Sequence, residues 1–290
     1  MKKNKPVKIL VLGANGKLGR VVYSYLSLQK GVMTFGTYRK IDTQKNIFKL
    51  EVKDFKKDIK IILNEIGNID YAINCIATLS ENASRKELTF VNSIFPKKLS
   101  ELAEKNNFFL IHISTDGVFS ANSKGVSELS MPHPDTFYGK SKLLGEPKSK
   151  NSITLRTSLI GFDPDKKMGL LEWVINNKKI KGFINQKWSG ATVLQIAKFI
   201  DISIKNNYFK SIRKKTSIIH FAPLGPISKY QLLNDFINVF KITKQIEKEK
   251  AQQITRYLTS IFIDADILKL YTSNTKKVLT ELVEFEKNIK

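Results

Sequence analysis

Cysteine is nearly absent. Cys75 is the only one in 290 residues, which excludes an intramolecular disulfide and fits a reducing compartment, so a cytoplasmic protein is expected. Histidine is almost as scarce, with three residues. No Cys/His cluster supports zinc, and no metal ligands are assigned. No apolar run approaches the roughly eighteen residues of a membrane span, so a membrane is not expected as a partner. The basic start, Met1 to Lys5, is followed by Val7–Leu12, an apolar stretch of six residues that runs straight into glycine. It reads as a buried strand rather than a secretion signal. Acidic side chains are few, 26 against 49 lysines and arginines, for a net charge of +23. Such a charge invites a nucleic-acid partner. Only six of those cations are arginines, however, and the planar guanidinium is the better tool for phosphates and base edges. The lysines are scattered, with short clusters such as Lys56-Lys57 and Arg213-Lys214-Lys215. A solvated lysine surface is the simpler account, and no nucleic-acid partner is expected. The charge still favours an anionic substrate.

What is present is an alternation. With 42% hydrophobic residues, the chain can bury a full core. Strands are expected at Val7–Leu12, Val32–Tyr38, Tyr71–Ala77, Phe108–Ser114 and Ile153–Ile160. Helices are expected at Lys17–Gln29, Phe55–Ile66 and Phe90–Asn106. Short buried strands alternating with amphipathic helices predict an α/β fold, a Rossmann-like doubly wound parallel sheet covered on both faces. Past residue 160 the pattern loosens. Helices are expected at Leu170–Asn177, Thr192–Ile204 and Lys229–Phe240, a short strand at Ser217–Phe221, and mostly helical, charged sequence beyond about residue 245. The expected division is a dinucleotide-binding domain over residues 1–160, with a return segment at about 192–222. A smaller, mainly helical substrate region takes residues 161–191 and 223–290. Ser120–Asp135, with Pro132 and Pro134, reads as a loop.

Gly13, Gly16 and Gly19 fall between the first strand and the first helix, the context a dinucleotide fingerprint requires. Glycine permits a tight turn and close approach to a pyrophosphate, whose charge then meets the helix N-terminus. Asn15, Lys17 and Leu18 complete this loop as candidate cofactor residues, with Ala77 at the end of the third strand. The end of the second strand reads Gly36-Thr37-Tyr38-Arg39-Lys40, with no carboxylate before Asp42. A guanidinium at Arg39 suits a ribose 2′-phosphate, which favours NADPH and leaves NADH open.

Tyr138 and Lys142 stand four apart on an expected helix, hence on one face. With 43 lysines and nine tyrosines, about one Tyr-x-x-x-Lys match is expected by chance. The weight comes from context, because Ser114-Thr115-Asp116 precedes the pair at the end of an apolar strand and the glycine loop precedes both. Together Gly-Ala-Asn-Gly-Lys-Leu-Gly (13–19), Ser-Thr-Asp-Gly-Val-Phe-Ser (114–120), Tyr-Gly-Lys-Ser-Lys-Leu-Leu-Gly-Glu (138–146) and Leu-Arg-Thr-Ser-Leu-Ile-Gly (155–161) resemble the extended short-chain dehydrogenase/reductases. Within them the chain is similar to the branch of dTDP-4-dehydrorhamnose reductase and related nucleotide-sugar reductases, in order and spacing over about the first 165 residues.

The resemblance implies NADPH-dependent reduction of a nucleotide-linked 4-keto-6-deoxy sugar in polysaccharide precursor synthesis. Tyr138 would protonate the oxygen formed at the sugar C4. Lys142 would hold the nicotinamide ribose and lower the tyrosine pKa. Thr115, or its neighbour Ser114, would hydrogen-bond the substrate oxygen. Tyr138 and Lys142 thus count among the cofactor residues as well as the catalytic ones. The role of Asp116 stays open. One departure bears on substrate choice: the branch usually carries an aromatic residue where this chain has Gly117. Glycine also cannot supply the acid/base group that the related dehydratases place there. The alternatives are a nucleotide-sugar epimerase of the same superfamily and a non-catalytic NADP-binding regulatory subunit. His112 reads as a core or edge histidine. Trp173 and Trp188 are open between ligand contact and core, and a homodimer is left open.

Overall fold

The computed structural model describes residues 5–40, 45–79, 83–162, 169–252 and 255–289. In chain order the elements are β1 (Val7–Leu12), α1 (Lys17–Ser27), β2 (Val32–Tyr38), β3 (Ile47–Lys49), α2 (Phe55–Ile66), β4 (Tyr71–Asn74) and α3 (Arg85–Thr89). They continue with α4 (Phe95–Lys105), β5 (Phe109–Thr115), α5 (Phe137–Gly145), β6 (Ser152–Thr157), β7 (Leu159–Ile160), α6 (Leu170–Asn176), β8 (Ile180–Phe183) and β9 (Lys187–Thr192). The remainder is α7 (Val193–Lys205), α8 (Tyr208–Ile212), β10 (Ile218–His220), β11 (Leu224–Ser228), α9 (Lys229–Phe240), β12 (Ile246–Glu249), β13 (Thr255–Arg256), α10 (Ala265–Lys269) and α11 (Thr275–Asn288).

Seven strands form one sheet in the order β10-β6-β5-β4-β1-β2-β3. The pairings of β1 with β2 and β4, of β2 with β3, and of β4 with β5 are all parallel. Leu10 lies opposite Phe35 on one side and Ala72 on the other, which makes β1 central. Its residues Ile9, Leu10, Val11 and Leu12 are at most 1% exposed, as expected of a parallel strand covered on both faces. The strand order reverses direction between β1 and β4. Open α/β sheets bind ligands beyond the carboxyl ends of the strands at such a reversal.

The chain divides into two compact units. The first comprises Met1–Ser114, Thr136–Leu155 and Ala197–Ile218. Its core is built from Leu10, Leu12, Phe35, Phe55, Ile59, Phe95, Leu99 and Leu110, and each such side chain contributes about 1.5–3 kcal/mol of burial. The second comprises Thr115–Asp135, Arg156–Ile196 and Ile219–Lys290. It holds a small sheet in which β9 lies between β11 and β13 and also pairs with β7, and a two-stranded pair of β12 with β8. Ile160, Leu232, Phe236 and Leu279 are buried there, with Trp188 and Phe240 packed against them. No helix among the described residues is long and apolar enough to cross a membrane.

Several elements depart from the pattern read in the sequence, each for a local reason. The third apolar run pairs only as far as Asn74, because the Asn74 side chain then accepts from the Ile76 amide (3.1 Å) and turns the backbone away. The helix expected over Phe90–Asn106 begins earlier, as α3, and passes through a π turn at Phe90–Ile94 before α4. Pro96 lacks an N–H and crowds the carbonyl four residues back, that of Asn92, so an α-helix cannot run through this point unbroken. The late run splits into β6 and β7, which belong to different sheets. Beyond residue 245, expected to be mostly helical, the chain holds strands β12 and β13 as well as α10 and α11.

Candidate active site

The glycine loop joins β1 to α1 at the point where the strand order reverses. Gly13 has φ +76°, a backbone conformation that glycine adopts without a Cβ penalty. Its amide donates to Thr37 Oγ1 (3.1 Å), and Ala14 donates to the Thr37 carbonyl (2.9 Å). Thr37, on β2 and buried, therefore fastens the loop from the neighbouring strand. Gly16 donates to the Gly13 carbonyl (3.0 Å) and is the N-cap residue of α1. An added Cβ at Gly19 would collide with that same Gly13 carbonyl. Gly16 offers no capping side chain, and α1 has no acidic residue in its first turn. The start of α1 thus has no side-chain cap, and the positive end of the helix dipole lies there, a setting suited to an anion. Asn15 is exposed, Lys17 is partly buried and Leu18 is buried at the loop. Ala77 is exposed beyond β4, and Arg39 is exposed just past β2. Asp42 lies outside the described residues.

Tyr138 and Lys142 are both on α5. Thr136 caps this helix, its Oγ1 accepting from Gly139 N (3.0 Å), which places Tyr138 in the first turn and Lys142 one turn on. Lys142 is 2% exposed, and its Nζ donates to the Ile113 carbonyl (2.7 Å). Burial lowers its pKa to about 8, against the opposing pull of Glu146 and Cys75. Glu146, also buried, accepts from Ser114 Oγ (2.8 Å). This assigns Ser114 a partner within the fold, whereas its neighbour Thr115 ends the strand. The Cys75 thiol follows β4 and is pushed up to about 12 by burial, with Lys142 acting the other way. Each of these two groups feels the other, so the lysine and the carboxyl end of β4 share one neighbourhood.

His112 is fully buried, and burial together with the Lys142 charge holds its pKa well below the usual histidine value. Asn74 Oδ1 accepts from Ile76 N, so Asn74 Nδ2 donates to His112 Nδ1 (3.1 Å). The imidazole is then neutral with its proton on Nε2, an atom that has no hydrogen-bond partner among the described residues. It is a core histidine with one side satisfied.

Asn92 is the residue that sequence reasoning missed. Its Oδ1 accepts from Thr78 N (2.9 Å), and its Nδ2 donates to the Thr78 carbonyl (2.9 Å) and to Ser141 Oγ (3.1 Å). One buried amide thus joins the segment after β4, which holds Ala77, to the helix of Tyr138 and Lys142. Ser93 Oγ adds a bond to the Ser141 carbonyl (2.7 Å). Gly145 faces the Asn92 carbonyl so closely that an added Cβ would overlap it. Pro96 was the only signal, since a proline four residues after Asn92 announces the break in the helix.

In the second unit, Thr115 opens a single turn of 3₁₀ helix, Asp116–Val118. Its Oγ1 accepts from Gly117 N (3.0 Å) and donates to Asp116 Oδ1 (3.2 Å). Arg256 holds the other carboxylate oxygen through Nε (2.9 Å) and reaches the Phe119 carbonyl through Nη1 (3.1 Å). The loop over Ser120–Asp135 is tied to the same strand region, with Val126 N donating to Tyr257 O (3.2 Å) and Thr259 N to Val126 O (2.9 Å). Trp188 donates through Nε1 to Ser158 Oγ (2.8 Å) and packs in the core, whereas Trp173 is 41% exposed.

Comparison with known proteins shows what the chain is similar to. The model of the RmlD substrate binding domain matches residues 7–261. A dTDP-4-dehydrorhamnose reductase of Aggregatibacter actinomycetemcomitans is 27% identical over 232 residues, covering 77% of this chain and 76% of the relative. A probable low-salt glycan biosynthesis reductase of Haloferax volcanii is 30% identical over 177 residues, covering 57% and 58% of the two chains. Among solved structures, a dTDP-4-dehydrorhamnose reductase of Bacillus anthracis in complex with NADP superposes with a TM-score of 0.73 at 18% identity, over 96% of this chain and 98% of that one.

Proposed function

The chain belongs to the RmlD substrate binding domain family, and from that premise we propose that it is an NADPH-dependent reductase of a nucleotide-linked 4-keto-6-deoxy sugar. The observation that carries this reading is the buried Lys142, one turn after Tyr138 on a helix that Thr136 caps. A lysine is taken out of water at a cost, and here the geometry gives it a carbonyl partner and a nearby tyrosine on the same helix face. The relatives named as nucleotide-sugar and glycan reductases support the substrate class, and supply of polysaccharide precursors is the role that fits it.

The loop fits a dinucleotide. A positive φ at Gly13, the crowding that only glycine relieves at Gly19, and the uncapped first turn of α1 make a cradle for a pyrophosphate. Gly13, Asn15, Gly16, Lys17, Leu18 and Gly19 would hold it, with Ala77 beside the nicotinamide half and Lys142 on its ribose. Arg39, rather than a carboxylate, follows β2 and would meet a 2′-phosphate. When bound, NADPH supplies the hydride that the sugar carbonyl carbon accepts.

The protein residues supply the proton and the orientation. Tyr138 donates its phenolic proton to the C4 oxygen. An ordinary tyrosine, near pKa 10, is a poor acid at neutral pH, and the Lys142 ammonium favours the phenolate that remains. Glu146 opposes the loss of charge that burial favours at Lys142. By the family resemblance, Thr115 would hydrogen-bond the substrate oxygen and orient it. A single cysteine, Cys75, fits a reducing cytoplasm as the place of action.

The test is loss of NADPH absorbance with a dTDP-4-keto-6-deoxyhexulose, comparing wild type with Tyr138→Phe. The wild type should consume NADPH, and the variant should lose about 10²–10⁴-fold in turnover while binding NADPH as before. Turnover unchanged by the substitution would remove the proton-donor role. NADPH binding without consumption by the wild type would overturn the reductase reading.

A further inference from the structure

Arg256 and Asp116 are not on the list of groups that the proposed chemistry uses, yet they are tied directly to one that is. Asp116 is 7% exposed, and both of its carboxylate oxygens are engaged. Oδ2 takes the Arg256 Nε proton at 2.9 Å, and Oδ1 takes the Thr115 hydroxyl proton at 3.2 Å. The two contacts are unequal. A charge-assisted N–H···O bond at 2.9 Å is near optimal, whereas an O–H···O contact at 3.2 Å is well beyond its usual 2.7–2.8 Å. Arg256 also holds the Phe119 carbonyl at 3.1 Å, so one guanidinium spans the turn that begins at Thr115. The Gly117 amide fixes the hydroxyl oxygen from the other side at 3.0 Å.

This arrangement has a chemical consequence. A ketone oxygen only accepts hydrogen bonds, so Thr115 serves a ketone only by giving it the hydroxyl proton. In the free protein that proton points at Asp116. An unpaired carboxylate would grip it strongly, but the arginine draws off the negative charge and holds the carboxylate by its other oxygen. The Thr115–Asp116 contact, at 3.2 Å, is correspondingly long. The hydroxyl is thereby aimed by Asp116 without being captured by it, and its proton remains transferable to a stronger or better placed acceptor.

The geometry points to Arg256, acting through Asp116, as the positioning residue that sets the direction and availability of the Thr115 hydroxyl for the substrate carbonyl. The inference rests on the assignment of Thr115 to the substrate oxygen, and it gives Asp116 a role. Its two residues and the turn they hold all lie within the second unit.

The test is a double-mutant cycle in the full-length chain, using Arg256→Gln, Thr115→Val and the pair, with Arg256→Lys as the milder variant should the glutamine form be unstable. Loss of one preorganised donor to a reacting oxygen costs about 10²–10³-fold in rate. Each single variant should therefore lose about 10²-fold or more in kcat/KM at unchanged NADPH affinity. The double variant should be no more than about threefold worse than the poorer single, because both changes remove the same hydrogen bond. Arg256→Lys, which keeps the charge but not the fork, should restore part of the loss. Losses that multiply in the double variant, or that come with equal weakening of NADPH binding and thermal stability, would overturn the inference in favour of an independent or merely structural arginine. A readout without substrate runs alongside. Hydrogen exchange at the Gly117 amide should accelerate about tenfold or more in Arg256→Gln, as expected when a local hydrogen bond is released; unchanged exchange would overturn the inference. If the wild type reduces no nucleotide sugar, the reductase reading fails by itself, and the exchange measurement still decides whether Arg256 holds the turn.

Discussion

Lys142 concentrates the residue-scale physics. Burial moves its pKa from 10.5 down to about 8, a displacement worth about 3 kcal/mol. Because the folded value lies below the unfolded one, the cost is fully present below about pH 8, where both states are protonated. It is relieved as pH rises from about 8 toward 10.5, where the unfolded state binds more protons than the folded one and stability climbs. Lys142→Met should accordingly gain in stability relative to wild type at pH 7, and the gain should shrink as the pH approaches 10. Thermal unfolding across that range measures it, and a gap independent of pH would refute a charged Lys142. Catalysis should show the opposite demand. On the proposed role, turnover should fall as Lys142 loses its proton, so Glu146→Gln, by removing the carboxylate that opposes that loss, should move the alkaline limb of the pH–rate profile to lower pH. A limb that stays in place would mean that Glu146 serves only Ser114.

At the scale of elements, the decisive joint is the one between the π turn and α5. Pro96 forces the break, the break turns the Asn92 carbonyl toward Gly145, and the Asn92 amide spans the gap to Thr78 and Ser141. Asn92→Ala strips three hydrogen bonds from buried or partly buried groups. It should destabilise the protein by about 2–4 kcal/mol and weaken NADPH binding, since the segment after β4 loses its anchor; denaturant unfolding and a cofactor titration read the two effects. Gly145→Ala should be worse for stability than any other alanine on α5, because the new methyl meets backbone rather than a movable side chain. These connections explain why the candidate site was only partly legible. The glycine loop and the Tyr138/Lys142 spacing are local, and a linear reading finds them. Thr37, Asn92 and Glu146 act across the sheet or between helices, so their sequence surroundings carry no mark of their partners. The correction at Tyr71–Ala77 has the same origin, since the run is apolar to its end but a side-chain bond at Asn74 stops the pairing.

For the whole molecule, the net charge of +23 matters most for encounter. A strongly cationic surface raises the rate at which an anionic nucleotide sugar arrives, and salt screens that attraction. The kcat/KM for the nucleotide sugar should therefore fall severalfold between about 20 and 200 mM monovalent salt, with kcat nearly constant. Steady-state kinetics at several salt concentrations would show it, and a salt-independent kcat/KM would assign the lysines to solvation alone.

The alternation of apolar strands with amphipathic helices by itself determined the α/β sheet, because burial on both faces writes a continuous apolar run that needs no partner to be recognised. It marked the glycine turn between the first strand and the first helix for a similar reason, since the turn, the glycines and the helix start lie within seven consecutive residues. Only the tertiary structure decided the rest: the lowered pKa of Lys142, the neutral tautomer of His112, the bridge made by Asn92, and the Arg256 grip on Asp116 from 140 positions away. Desolvation and long-range hydrogen bonds depend on which distant segments meet. That information is held in the packing, and no local stretch of the chain contains it.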